Sequence, residues 1–305
     1  MASASFLYNR RVAEHHRPGT ERPPRPPRAE TREIVELRQL KAEQPELASA
    51  VDMQIALVDM QRRVQSRVPL PWIQADPEWL RSQQIAGLPL VRFGDIPLEW
   101  TDFRLAFRQT ADILRRFDAL EATEHETILA LARGGNTLEP LVTKWYGATS
   151  GADGADPLKR APEGAPPSLD QVLVLALRPF LARCAEALMQ RDLSAWTHGH
   201  CPFCGWEPDF AVIMPSADRR LICGRCIGQW AFGSLTCPFC ANADRALITS
   251  FATRDARYRV YACDVCRRYL KAYDGRHANR PVMVAVDSIA TLPLDAAAMQ
   301  RGYVG

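Results

Sequence analysis

Apolar residues recur at helical spacing through the first two thirds of the chain. The segment 47–64 carries two such stripes, which predict a helix that is buried on more than one side. Their members are Leu47, Val51, Ile55 and Val58 in one stripe, and Met53, Leu57, Met60 and Val64 in the other. A long apolar face between Leu169 and Leu188 repeats the pattern. A helical domain is therefore expected over residues 31–195.

The pattern changes after about residue 195, where short strand-like runs alternate with turns that contain cysteine. The runs DFAVIM (209–214) and RRLIC (219–223) predict one hairpin, and RALITSFA (245–252) and ARYRVYAC (256–263) predict a second. The run PVMVAVDS (281–288) predicts a final strand. The segment SIATLPLD is expected to be a strand and loop that close the fold, with a partner-contact segment as the alternative.

Two segments show no regular recurrence of apolar residues. Residues 1–30 are rich in Pro and Arg and are expected to be disordered or extended. Residues 147–167 are rich in Gly, Ala, Asp and Pro and are expected to be a loop. The predicted fold class is multidomain α plus small β: a tail (1–30), a helical domain (31–195), a first ribbon (196–234), and a second ribbon with a closing segment (235–305).

Charge and hydropathy narrow the range of functions. The net charge is only +3, whereas a nucleic-acid-binding protein usually has a stronger basic excess. No apolar run approaches the roughly 18 residues of a membrane span, so no membrane insertion is expected. Arg10 and Arg11 suggest a twin-arginine export signal, but the apolar region that such a signal needs does not follow. A cytoplasmic location is expected.

The cysteines carry the candidate chemistry. Eight of the nine form four Cys-x-x-Cys pairs, and Cys184 lies alone on an apolar helical face, where a packing role is expected. In a chain that is not exported, repeated pairs point to metal sites or redox motifs rather than to disulfides. The pairs are Cys201 and Cys204, Cys223 and Cys226, Cys237 and Cys240, and Cys263 and Cys266.

The spacing of the pairs suggests how they combine. One Cys-x-x-Cys turn supplies half of a tetrahedral site, so a second turn must face it. Eighteen residues separate Cys204 from Cys223 and twenty-two separate Cys240 from Cys263, which in each case is enough for one hairpin. Only ten residues lie between the second and third turns. The sequence therefore favours two four-cysteine sites made from consecutive turns, with an interleaved pairing as the alternative.

Tetrahedral sulfur suits both zinc and a single rubredoxin-type iron, and the sequence does not separate the two. A structural role for the metal and a redox or sensing role are both open. A thioredoxin-like dithiol would require one turn at a helix start within a βαβ unit, a pattern that is missing, while an iron–sulfur cluster is a further alternative. His198 and His200 flank the first turn but are not expected to be ligands, because eight cysteines complete two sites.

No catalytic set is visible in the sequence. It contains no Ser/His/Asp arrangement, phosphate-binding loop or persuasive carboxylate pair, so the protein is not expected to be an enzyme. Basic residues and aromatic residues in the ribbon region suggest an alternative, a zinc-ribbon module that binds nucleic acid or the transcription machinery. The basic residues are Arg219, Arg220, Arg225, Arg254, Arg257, Arg259, Arg267, Arg268 and Lys271; the aromatic residues are Phe203, Trp206, Trp230, Tyr258 and Tyr269.

The C-terminal third resembles the bacterial formate dehydrogenase accessory protein family, the FdhE family. The resemblance rests on the order and spacing of CPFCGWEP (201–208), CGRCIGQW (223–230), CPFC (237–240), CDVCRRYLK (263–271) and DSIATLPLDAAAMQRGY (287–303). Two positions depart from the family pattern. Ala241 stands where a glycine is common, which puts the backbone of the third turn in question, and Ser234 stands where an arginine is expected.

The resemblance implies a cytoplasmic, chaperone-like accessory factor. Its partner would be the catalytic subunit of a respiratory formate dehydrogenase, bound before export, which carries a molybdenum or tungsten pterin cofactor and an iron–sulfur cluster. The resemblance also implies iron in two rubredoxin-like sites, with all eight paired cysteines as ligands; zinc is the alternative metal. A homodimer is left open, and no partner-binding residues are predicted.

Overall fold

The computed structural model describes residues 30–135, 137–151 and 166–305. The predicted tail, apart from Glu30, and most of the predicted loop 147–167 lie outside the described residues. Helices occupy the first part of the described chain, as the apolar pattern predicts. The helix that precedes the undescribed residues 152–165 ends at Ser150, four residues into the predicted loop. These helices are α1 Arg32–Glu43, α2 Ala48–Gln65, α3 Pro77–Ala86, α4 Trp100–Arg116, α5 Ala122–Arg133, α6 Leu138–Ser150 and α7 Leu169–Leu188.

Helices α2, α4 and α7 pack against one another around the main apolar core. Phe103 of α4 packs against Phe107 of the same helix and against Phe180 of α7, and none of the three is exposed to solvent. Cys184 is buried in the same core, where burial raises the pKa of its thiol to about 12. Its placement agrees with the predicted packing role.

The second part of the chain forms one six-stranded sheet with the order β3-β2-β1-β6-β5-β4. Both predicted hairpins are confirmed, as the antiparallel pairs β1·β2 and β4·β5. Each hairpin gains a third strand, and parallel pairing of β1 with β6 joins the two halves into one sheet. The strands are β1 Pro208–Ile213, β2 Arg219–Cys223, β3 Gln229–Phe232, β4 Ile248–Ala252, β5 Tyr258–Cys263 and β6 Tyr269–Asp274.

The strand predicted at 281–288 is wrong, and so are the strand and loop predicted for SIATLPLD. These residues form two helices, α8 (Val284–Ala290) and α9 (Leu292–Gln300). The alternating valines suggest a strand, but Val286 and Ile289 share a helical face that packs against helices α1 and α2. Tertiary packing therefore overrides the local β preference of the valines.

A buried carboxylate fixes the start of helix α8. Asp287 accepts a hydrogen bond from the Met283 backbone N–H at 2.6 Å, and its oxygens also bind the Arg280 guanidinium and the Tyr258 hydroxyl. Pro293 then lies in the first turn of α9, a position that tolerates proline because the N–H there has no helical partner.

Within the described part of the chain, no helix is long and apolar enough to cross a membrane. The division of the chain into the domains given above stays a prediction.

Candidate metal centres

The four Cys-x-x-Cys turns share one backbone conformation. We name them knuckles 1 to 4: Cys201–Gly205, Cys223–Ile227, Cys237–Ala241 and Cys263–Arg267. In each knuckle the N–H of the last residue donates to the carbonyl of the first cysteine, at 2.9, 3.2, 3.0 and 2.9 Å in order. The first cysteine's N–H donates in turn to the carbonyl five residues later, at 2.8 to 3.0 Å. This closed turn places both sulfurs of a knuckle on one side.

The last residue of every knuckle has a left-handed backbone. Its φ is +75° at Gly205, +61° at Ile227, +58° at Ala241 and +59° at Arg267. Ala241 thus takes the conformation that glycine adopts most easily, and knuckle 3 keeps the same hydrogen bonds as the others. The replacement of the family's glycine leaves the turn intact, at a strain of about 1–2 kcal/mol for a residue with a Cβ.

The structure brings consecutive knuckles together, as the spacing predicts, and rules out the interleaved pairing. Site 1 is formed by knuckles 1 and 2, with sulfur–sulfur distances of 3.5 Å for Cys201–Cys226 and for Cys204–Cys223. Site 2 is formed by knuckles 3 and 4, with distances of 3.7 Å for Cys237–Cys266 and 3.6 Å for Cys240–Cys263. Within each site the four sulfurs all lie within 4.8 Å of one another.

These distances fit a tetrahedral metal ion. A metal–sulfur bond of about 2.3 Å places neighbouring sulfurs of a tetrahedron about 3.8 Å apart. Backbone donors also point at the sulfurs of site 1: the N–H groups of Arg225 and Cys226 lie 3.3 and 3.4 Å from the Cys223 sulfur, and the Gly228 N–H lies 3.4 Å from the Cys226 sulfur. Such donors stabilise thiolates, which are the form that binds zinc or iron.

The two sites differ in exposure. All four cysteines of site 1 are buried, with at most 1% of any of them open to solvent. In site 2, Cys240 is exposed and Cys266 is partly exposed. Burial opposes ionisation of Cys263, but N–H groups of Cys266 and Val265 donate to its sulfur and lower the pKa of this thiol to about 7. Site 2 is therefore the one that solvent can reach.

We call the part of the chain that contains helices α1 to α7, with their connecting loops, the helical layer. Groups of this layer hold site 1 in place by contacts with the backbone of its knuckles. The N–H groups of Leu90 and Val91 donate to the carbonyls of Pro202 and Phe203 in knuckle 1, both at 2.8 Å. Gly205 lies so close to the carbonyl of Ser150 at the end of α6 that a Cβ at this position would collide with it. Knuckle 2 is held in a similar way, because the Arg178 side chain of α7 donates to the Gly224 carbonyl at 2.6 Å.

A buried arginine links site 1 to α6. Arg225 has no solvent exposure, and its guanidinium donates to the hydroxyl of Thr149 at 2.8 Å and to the carbonyl of Cys204. Burial by itself lowers the pKa of Arg225, but the negative charge at Cys204 and the neighbouring groups outweighs it, and the net effect is a raised pKa. The guanidinium therefore stays charged beside the sulfurs.

An ion pair joins the two halves of the sheet between the sites. Arg268 follows knuckle 4 and binds Glu207, which follows knuckle 1, through two bonds of 2.5 and 3.0 Å. Both side chains are mostly buried. The same guanidinium covers the ring of Phe239 in knuckle 3, 3.7 Å from the ring centre. Arg268 thus contacts parts of both sites.

Known proteins resemble this chain in both sequence and fold. No protein-family model matches it. A protein from Shewanella oneidensis described as "Protein FdhE homolog" is 32% identical over 107 residues, which are 34% of this chain and 35% of that protein, so the match spans about a third of each. The crystal structure of the FdhE protein from Pseudomonas aeruginosa aligns with a TM-score of 0.57 and 22% identity, and covers 89% of this chain and 91% of that chain.

The resemblance to the FdhE family is confirmed. The chain has the FdhE fold, and the predicted fold class of a helical part followed by a small β part with two four-cysteine clusters is also confirmed. The clusters are suited to metal ions, while the identity of the metal and the role of each cysteine as a ligand stay predictions. His198 and His200 lie outside both clusters. The His200 ring hydrogen-bonds to the Gly87 carbonyl at 2.9 Å, and burial lowers its pKa.

The sequence did not single out several residues that the structure places beside the sites. Arg225 and Arg268 belong to the basic set and, like Glu207, to the cysteine motifs, but the sequence assigns no role to any of the three. Trp145 and Tyr146, whose rings border Arg225, lie in a helix far from the cysteines along the chain. The position of Arg225 between the two cysteines of knuckle 2 is the one local signal that could have marked it.

Proposed function

We propose that this protein is a cytoplasmic accessory factor that binds the catalytic subunit of a respiratory formate dehydrogenase before export and supports its maturation or activation. The observation that carries the proposal is the pair of four-cysteine centres within the FdhE fold. The sequence motifs that resemble the FdhE family support it as well. The protein acts as a chaperone-like partner and not as an enzyme.

The proposal includes iron in both sites, held by the eight paired cysteines, with zinc as the alternative metal. The sulfur distances and the backbone donors of site 1 support a metal with four thiolates, and they suit both ions. Either ion would stabilise the ribbons, whereas iron would add one-electron chemistry. An absorption spectrum distinguishes the metals, because iron(III) bound to thiolates is coloured and zinc is not.

The structure disfavours the nucleic-acid alternative, because the residues that suggested it are engaged within the protein. Among the aromatic residues, Phe203, Trp230, Tyr258 and Tyr269 are buried, and Trp206 packs against Trp145. They offer no open ring on which a base could stack.

The basic residues of the ribbons are also engaged. Arg219 and Arg225 are buried. The other engaged residues form ion pairs: Arg257 with Asp255, Arg259 with Asp274, Arg267 with Asp264, Arg268 with Glu207, and Lys271 with Asp295. Of the nine residues named from the sequence, this leaves Arg220 and Arg254, too few for a phosphate-binding face.

The test is affinity capture of the tagged protein from its native host, grown where formate is respired. We expect the catalytic subunit of formate dehydrogenase to be retained in high salt. A bait with Cys240→Ser and Cys266→Ser tests whether site 2 takes part, and a Cys184→Ala bait is the matched control, because Cys184 lies outside both sites. Recovery of nuclease-sensitive RNA or DNA in place of the subunit would overturn the proposal in favour of the zinc-ribbon alternative.

A further inference from the structure

Arg225 lies between the two cysteines of knuckle 2, and its side chain reaches both helix α6 and the end of knuckle 1. Its guanidinium carbon lies 4.6 Å from the ring centre of Tyr146, 4.8 Å from that of Trp206 and 5.4 Å from that of Trp145. Together with the Thr149 hydroxyl and the Cys204 carbonyl, these rings enclose the guanidinium completely. An arginine enclosed in this way is separated from bulk solvent.

The charge of Arg225 has no carboxylate partner among the described residues. Its hydrogen bonds go to a hydroxyl and a carbonyl, and its Nε has no partner. A buried cation is strongly unfavourable unless an opposite charge compensates it, and aromatic faces and neutral acceptors compensate it only in part. The four sulfurs of site 1 are the negative groups next to it, since Arg225 is flanked by Cys223 and Cys226 and donates to the carbonyl of Cys204.

Site 2 also has a buried arginine nearby, Arg219, whose guanidinium donates to the carbonyls of Gly233 and Thr236 just before knuckle 3. Arg268 approaches knuckle 3 through the ring of Phe239, but its charge is matched by the carboxylate of Glu207 through two hydrogen bonds. Arg267 in knuckle 4 is likewise paired, with Asp264 at 3.3 Å. Arg225 differs from these three arginines because it lies between two cysteines of its own site.

We propose that Arg225 is the counter-charge of site 1 and that it biases an iron ion held there toward the ferrous state. An iron site with four thiolates has a net charge of −1 as Fe³⁺ and −2 as Fe²⁺. Reduction from Fe³⁺ to Fe²⁺ adds one electron, transfers no proton and breaks no bond. A fixed positive charge in a medium of low dielectric constant stabilises the more negative state. Arg225 is a positioning residue here and not a ligand. The inference rests on the proposed metal site but not on the proposed accessory role.

The test uses the full chain with Cys240→Ser and Cys266→Ser, so that only site 1 reports, reconstituted with iron. The reduction potential is measured by spectroelectrochemical titration of the iron(III)–thiolate absorption. We expect Arg225→Gln to change the equilibrium constant for one-electron reduction at least tenfold toward the ferric state, which is about 59 mV. Arg225→Lys keeps the charge and should restore most of the shift. The matched control is Arg220→Gln, an exposed arginine on strand β2, which should leave the potential unchanged.

The proposal is overturned if folded, iron-loaded Arg225→Gln protein has the potential of its parent. If that variant does not fold, the two sites are compared in a chain that keeps Arg225 and carries Arg219→Gln, so that the buried arginine near site 2 no longer contributes. Burial alone disfavours the more negative ferrous state, and would place the potential of site 1 below that of exposed site 2. A potential at site 1 that is equal to or higher than that of site 2 supports the counter-charge, and a lower potential at site 1 overturns it.

Iron binding itself separates this inference from the metal assignment. If iron gives no thiolate absorption at site 1, the metal assignment fails and the role of Arg225 fails with it. If iron binds and the potential does not respond to Arg225, only the role of Arg225 is overturned. Neither result depends on capture of the formate dehydrogenase subunit.

Discussion

The different burial of the two centres predicts the order in which they lose metal. In the zinc-loaded protein, a chelator should remove zinc from site 2 well before it removes zinc from site 1. A chelator can reach site 2 at Cys240, which is exposed. Site 1 offers no such access, because all four of its cysteines are buried in the main apolar core. Knuckle 1 must leave the helical layer before the chelator can attack there.

The free energy of that opening follows from the contacts that it breaks. Phe203 lies between the cysteines of knuckle 1 and is only 1% exposed, so that its exposure costs about 2 kcal/mol. The hydrogen bonds from Leu90 and Val91 to knuckle 1 add about 1 kcal/mol each. The total of about 4 kcal/mol corresponds to a release from site 1 that is roughly 1000-fold slower.

The assay follows the absorbance of a chromophoric zinc chelator mixed with the fully loaded protein. We expect two phases of equal amplitude, separated by about three orders of magnitude in rate. Cys240→Ser with Cys266→Ser should abolish the fast phase, and Cys184→Ala, the matched cysteine outside both clusters, should keep both phases. A single phase, or loss of the slow phase in the double variant, would refute the reasoning from burial.

Three further substitutions test the local geometry. Gly205→Ala should lower the free energy of unfolding by about 3 kcal/mol, because its Cβ would collide with the Ser150 carbonyl at a left-handed φ of +75°. Ala241→Gly should raise the free energy of unfolding by about 1 kcal/mol, because it relieves a φ of +58°. Asp274→Asn should lower it by about 2 kcal/mol at pH 7. The Arg276 side chain lowers the pKa of Asp274 to about 2, although burial opposes this effect. The loss of stability in Asp274→Asn should therefore stay constant above a pH of about 4 and shrink as the pH falls toward 2.

Each of these effects is measured by chemical denaturation of the metal-loaded protein and has its own control. Gly94→Ala adds a Cβ in open space and should be neutral; equal losses at Gly94 and Gly205 would refute the collision. Ala217→Gly relieves a φ of +70° in a turn outside the knuckles and should give a similar gain; no gain at either alanine would refute the strain argument. For Asp274, a stability difference that grows below pH of about 4 would have the wrong sign.

The parts of the fold that the sequence predicts correctly are those in which neighbours along the chain decide the structure. The hairpin between Cys204 and Cys223 is an example, since a gap of eighteen residues permits two short strands and returns the chain to its start. The second hairpin obeys the same rule. Consecutive pairing of the knuckles follows directly, because each pair of knuckles lies at the open end of its own hairpin.

The parts that the sequence does not predict depend on contacts between distant segments. Parallel pairing of β1 with β6 joins residues about sixty positions apart, and no local pattern specifies it. Helix α8 is a second case, since its alternating valines favour a strand. Packing of Val286 and Ile289 against α1 and α2 stabilises the helix instead. The enclosure of Arg225 is a third, because its aromatic walls come mainly from helix α6.

The different surroundings of the two centres also determine what a cysteine substitution can reveal about function. Site 1 lies in the core that unites the helices with the sheet, so loss of Cys204 or Cys223 removes part of the fold together with a proposed metal ligand. Loss of client activation in such a variant would follow from unfolding as readily as from a missing metal function. Substitutions at Cys240 and Cys266 leave that core in place. If a metal centre acts on the proposed client, the decisive comparison is therefore a folded protein that retains site 1 and lacks only site 2.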